Sequence, residues 1–171
     1  MRVSPPAIAV ALIMSTVSSV GLSRADANAV NPRSAALVEA GSAAQAIGKL
    51  DEATGLFETA LAVDPGNRTA YVRLAQIAYA QKLNGKAIRL YNIALAMDPR
   101  DVVALAGQGE ALASKGAIQR ARDNLARVKL LCSGRCDSGD RLARVIDQAS
   151  IEPVRSASAI QPEPVVIQEK P

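Results

Sequence analysis

Histidine and tryptophan are missing from these 171 residues, and aromatic side chains make up only 2% of them: Phe57, Tyr71, Tyr79 and Tyr91. Without histidine the chain lacks the commonest metal ligand and the side chain that most readily moves protons near neutrality. No glycine-rich phosphate loop is present, and serines without histidine form no ordinary nucleophilic triad. Carboxylate pairs occur, but Asp51 and Glu52 stand at a helix start, where they favour the positive end of the helix dipole. Basic residues are not gathered with the few aromatics, so no platform for stacking nucleic-acid bases is evident. These gaps point away from an enzyme, a metal site, a cofactor and a nucleic-acid partner.

Apolar residues nevertheless reach 49%, and alanine supplies much of that share. Alanine has the best helix propensity and lets backbones approach, so this is the composition of closely packed helices. The one long apolar run, Ala7 to Leu22, follows Arg2 and precedes the small-residue stretch Ala25–Ala29. That layout predicts a secretory signal over residues 1–27, cut after Ala27 or after Ala29, and a periplasmic or secreted protein. A membrane contact is expected only if the signal stays uncut, and the serine-diluted run is short for a span of about 20 residues. Removal takes basic residues from 20 to 18 and acidic ones from 16 to 15, leaving a mild +3.

The phrase Ala-Leu-Ala-x-Asp-Pro ends at Pro65 and again at Pro99, 34 residues apart. Laid over one another at that period, three units emerge: 34–67, 68–101 and 102–135. Tiny residues recur as Gly41, Ala75 and Gly109, and as Ala53, Ala87 and Ala121, followed by the larger Phe57, Tyr91 and Leu125. Each unit splits into two runs with apolar positions three and four apart, which predicts two amphipathic helices. The tiny residues let their axes come close, and the larger group fills the adjoining hole. Proline ends the second helix, and Asn67 and Asp101 stand ready to cap the next. Gly48, Gly85 and Gly116 mark the expected turns inside the units.

With these residues the chain resembles the tetratricopeptide repeat family over 34–135, carried by Leu37, Gly41, Ala53, Phe57, Ala60 and Pro65, then Tyr71, Leu74, Ala75, Ala87, Tyr91, Ala94 and Pro99. The third unit departs from the pattern at Gln108 and Ser133, as a terminal repeat would. The resemblance implies an all-α, right-handed solenoid of about three helix-turn-helix units, of the kind found in small exported bacterial proteins. It implies a concave groove lined by the first helix of each unit. The family's groove columns fall on Val38, Ser42 and Gln45, on Thr69, Val72, Gln76 and Tyr79, and on Val103, Ala106, Glu110 and Ala113. Members that grip an acidic chain terminus carry Lys and Asn where this chain has Val38 and Ser42, and cations where it has Ala106 and Glu110. That clamp is missing, and the lining suits an apolar or weakly basic segment, taken as a helix or an extended peptide. The alternative is that the groove is filled by another part of the chain, such as the tail.

Residues 28–33 read as a linker. Residues 137–150 read as a capping helix, with Leu142, Val145 and Ile146 at helical spacing. The proline-bearing stretch 152–171 has no period and reads as a disordered tail. Cys132 and Cys136 are the one reactive pair. In an exported chain an even cysteine count favours a disulfide, with free thiols or a redox role as alternatives. Three intervening residues are one more than redox motifs usually have, and zinc would need two further ligands. The expected function is a non-enzymatic interaction adaptor or scaffold of the bacterial cell envelope, and the rival is a thiol-dependent redox protein using Cys132 and Cys136. Oligomeric state is not legible in the sequence.

Overall fold

The computed structural model describes residues 29–132, 134 and 136–158. The expected signal segment 1–27 lies outside them, as do residues 159–171. Seven helices and no strand occur among the described residues: α1 Pro32–Ala46, α2 Leu50–Val63, α3 Arg68–Ala80, α4 Asn84–Met97, α5 Val102–Ser114, α6 Ile118–Leu131 and α7 Asp137–Ser158. Helices pair as α1 with α2, α3 with α4, and α5 with α6, and each pair stacks on the next through α2–α3 and α4–α5 contacts. The result is an all-α solenoid, closed at its end by α7 on α5 and α6.

Packing follows the small-residue columns. Ala53, Ala60, Ala87, Ala94 and Ala121 are fully buried, and so is Phe57. A Cβ added at Gly41 would lie 2.6 Å from the Phe57 ring, so glycine is what lets α1 and α2 meet there. Tyr91 is not a copy of Phe57: its hydroxyl end lies against Gly107 of α5, across the unit boundary. In the third unit the expected hole-filler, Leu125, is only half-buried. Leu142 of α7 fills the notch over Gly109 instead, because the last repeat has a capping helix, rather than a further unit, to present that side chain.

Gln108, the misfit of the third unit, is buried and hydrogen-bonded through both its amide nitrogen and its amide oxygen. It donates to Asn92 Oδ1 (2.6 Å) and accepts from Asn124 Nδ2 (2.8 Å), which also donates to the Leu105 carbonyl. One polar residue at that column recruited two more, since an unpaired buried amide would cost about 1–3 kcal/mol.

The caps form as the sequence suggests. Asn67 accepts from the Ala70 amide and Asp101 from the Ala104 amide. Asn67 does more: its Nδ2 donates to Ser34 Oγ, which donates to the Ala60 carbonyl, tying α1 and α2 to the start of α3. Asn31 caps α1 through the Arg33 amide, so Pro32 and Arg33, expected in a linker, belong to the first helix. At the far end α7 runs through Pro153 to Ser158, so residues 152–158, expected in the tail, belong to the capping helix. A proline inside a helix removes one hydrogen bond but does not forbid the helix on either side.

The turns bring one more correction. Gly48 and Gly116 have positive φ, but the equivalent residue of the second unit is Lys82, at φ 62°, and not Gly85. Gly85 lies in the first turn of α4. A left-handed non-glycine residue costs about 1–2 kcal/mol, part of which glycine returns as extra freedom of the unfolded chain. Lys82→Gly should therefore stabilise the protein by about 0.5–1 kcal/mol, read as a higher denaturant midpoint with unchanged slope. A lower midpoint would show that the Lys82 side chain contributes more than its backbone costs.

Candidate functional site

The inner side of the solenoid is formed by α1, α3 and α5, with α7 at its end. Three open hollows run along it and share residues. The first, about 510 Å³, lies over α1 and α3 among Val38, Glu39, Ser42, Thr69 and Arg73. The second, about 480 Å³, shares Thr69 and Arg73 with it and adds Arg68, Val72, Gln76, Asp98, Asp101 and Val103. The third, about 300 Å³, shares Gln76 and Val103 and adds Gln45, Tyr79, Tyr91, Gly107, Glu110 and Arg141. Shared walls make these one continuous groove.

The expected groove residues divide into two kinds. Ser42, Gln45, Thr69, Gln76, Tyr79, Val103 and Glu110 line the hollows. Val38 and Val72 form the floor, only 8% and 6% exposed and packed into the core beneath. Ala106 lies fully buried among Leu105 and Val128, below the lining rather than on it, and Ala113 is likewise buried. The residue after each floor position is the one that faces the hollow: Glu39 after Val38, Arg73 after Val72, Gly107 after Ala106. One period beyond Gly107 stands Arg141, on the helix read from the sequence only as a cap. Each of these residues lies about 100° around its helix from the expected column, so 3.6-residue geometry alone could have marked it.

The lining is thus more charged than the sequence suggested. Arg68 pairs with Asp98 and, at 3.3 Å, with Asp101, holding the start of α3 to the start of α5. Arg141 donates its Nε–H to Glu110 Oε1 at 2.7 Å. Glu110 is almost wholly buried while the arginine side chain is 58% exposed. That bond holds the Arg141 guanidinium above its ordinary pKa. Burial first, and then the Glu110 carboxylate, push the Tyr91 phenol far up, so it stays protonated at the groove wall. Arg73 has no carboxylate within ion-pair distance among the described residues, and donates to Gln76 Oε1 at 3.3 Å. Tyr79 and Ser114 hydroxyls lie 3.3 Å apart at the groove edge.

Cys132 and Cys136 stand between α6 and α7 with their sulfurs 2.07 Å apart, at disulfide distance. They pack against the buried Leu105, Ala106 and Val128 rather than opening into the groove. Among the described residues no group of three or more His, Cys, Asp or Glu could hold a metal ion. No described helix is long and apolar enough to cross a membrane.

A family model described as tetratricopeptide repeat matches residues 38–101 and 84–130. None of the curated proteins is matched by the sequence. Among solved structures, the Sgt2 TPR domain from Aspergillus fumigatus is similar at TM-score 0.65 and 20% identity, over 85% of this chain and 95% of that one. The first TPR domain of human RPAP3 is similar at TM-score 0.64 and 24% identity, over 72% and 97%. The first TPR of Spaghetti (RPAP3), bound to the HSP90 peptide SRMEEVD, gives TM-score 0.63 and 24% identity, over 70% and 94%. At these identities the likeness concerns the fold.

Proposed function

Because this chain belongs to the tetratricopeptide repeat family, we propose that it is a non-enzymatic adaptor or scaffold that holds a peptide or helix of a protein partner in its concave groove. The observation that carries this reading is the continuity of the three hollows across α1, α3 and α5, through shared Thr69, Arg73, Gln76 and Val103. A valine floor with polar walls suits a segment that alternates apolar and hydrogen-bonding side chains. Similar folds hold peptides, as in the complex with the HSP90 peptide. The place of work we propose is the bacterial cell envelope, on the strength of the signal-like residues 1–27 and the cysteine pair. In that setting Cys132 and Cys136 are oxidised and serve to join α6 to α7, and the redox reading loses ground because both pack into an apolar cluster.

The test needs residues exposed in the groove. Val72 is unsuitable, since a charge there would enter the core. Val103, 46% exposed, and Thr69, also exposed, are better placed. Val103→Glu and Thr69→Trp should leave melting within about 0.5 kcal/mol of the parent, as surface changes do. Partner capture in crosslinking pull-downs from envelope extract should fall by roughly tenfold, the scale of a central interface contact. Normal capture by both folded variants would remove the concave face from consideration.

A further inference from the structure

The third hollow differs from the other two in being built partly by the capping helix. Arg141 of α7 enters it beside Gln45 of α1, Gln76 of α3 and Gly107 of α5. Glu110 Oε1 takes only the Nε–H of that guanidinium. A guanidinium carries five N–H donors in a planar fork, so the two terminal nitrogens keep four. Their outer edge is the one that accepts a carboxylate through two parallel hydrogen bonds. The carboxylate behind it is almost wholly buried and the guanidinium in front is more than half exposed. An incoming group therefore meets the cation first. A cationic ligand would have to displace Arg141 to reach Glu110. Gly107 adds no side chain in front of this edge, and a Cβ there would already collide with the Tyr91 hydroxyl. Arg73, two periods earlier in the same column and with no carboxylate at ion-pair distance among the described residues, places a second cation in the neighbouring stretch of groove, whose lining also holds Glu39, Asp98 and Asp101.

We propose that the hollow between α3, α5 and α7 is an anion-recognition subsite, in which the paired outer edge of Arg141, braced from behind by Glu110, receives an acidic side chain of the bound segment. This rests on the groove being a peptide site, and reverses the sign of the charge expected of the ligand from sequence. The capping helix then has two roles, closing the core with Leu142 and selecting the ligand with its neighbour Arg141. Arg141 is the contact residue and Glu110 the positioning residue.

The experiment is a selection of a random linear peptide library, displayed on phage, against the full chain and against Arg141→Gln. The parent should enrich one motif with Asp or Glu at a fixed position. Arg141→Gln should keep the apolar positions of the motif and lose the acidic preference. The selected peptide, remade with Glu, Gln or phosphoserine at that position, then gives affinities. Glu should exceed Gln by at least about tenfold on the parent and by no more than about twofold on Arg141→Gln, since one charge-assisted pair separates them. Arg141→Lys keeps the charge without the paired donors and should fall between. Glu110→Gln keeps an acceptor for Nε and should retain the preference, whereas Glu110→Ala should blunt it without changing the motif's apolar positions. Tighter binding of phosphoserine than of Glu would assign the subsite to a phosphoryl group rather than a carboxylate. A motif without an acidic position, or an acidic preference that survives in Arg141→Gln, overturns the subsite while leaving the groove as a peptide site. Failure of the parent to enrich any motif overturns both.

Discussion

Leu142→Asp should unfold the C-terminal end of the array, with a loss of about 4 kcal/mol or more. The side chain is fully buried, and its methyl groups lie 2.7–2.8 Å from where a Cβ on Gly109 would stand. Its surroundings are Leu112, Ala113, Ala121 and Ile146, none of which can pair with a carboxylate. An isolated buried charge of this kind either stays uncompensated or forces the site open, and both are costly. Leu142→Met, which conserves volume, should cost less than about 1.5 kcal/mol. Since each layer is stabilised by its neighbours, hydrogen exchange in Leu142→Asp should accelerate first in α5, α6 and α7 and last in α1 and α2. Parent-like melting of Leu142→Asp would mean that α7 does not cover α5 in solution.

The second large effect belongs to the opposite end. Phe57→Ala should destabilise by about 3–5 kcal/mol, the usual cost of emptying a fully buried aromatic site. Phe57 has no exposed surface and fills the gap that Gly41 leaves between α1 and α2. With no further layer in front of α1 among the described residues, the first unit has only α3 to lean on. The expected signature is early opening of α1 and α2 in urea, ahead of the rest, with a shallower overall transition. A loss below about 1 kcal/mol would show that the neighbouring side chains collapse into the space.

What the sequence disclosed and what it hid have separate physical causes. The period, the alanine columns and the caps at Asn67 and Asp101 were legible because each is a local demand repeated every 34 residues. Lys82 was not, because the left-handed position belongs to the turn, and the second unit meets it with a residue that gives no compositional signal while carrying its glycine three places on. Gln108 looked like a departure from the repeat, yet its partners Asn92 and Asn124 lie 16 residues away on either side and had no reason to be grouped from the sequence. The groove was half legible. The helices that form it, and its floor at Val38 and Val72, follow from the repeat columns, whereas Glu39 and Arg73 face it from one place further on and Ala106 lies wholly beneath the lining. Arg141 escaped notice for a different reason. Its helix was assigned a sealing task, and only the position of α7 beside α5 reveals that the same helix also borders the cleft.

The layered packing also decides how this molecule would carry tension. Among the described residues the backbone of the first helix packs only on α2 and α3, and that of the last only on α5 and α6, so the two ends share the wall of one hollow through Gln45 and Arg141 but no backbone packing. A pull applied across them is borne in series, like load on a chain of links, and each boundary feels all of it. The weakest layer then yields before the others and lengthens the tether, which spares whatever is attached beyond it. An adaptor strung between two anchored partners would in this way act as a shock absorber, with its extension set by the number of layers rather than by any single bond.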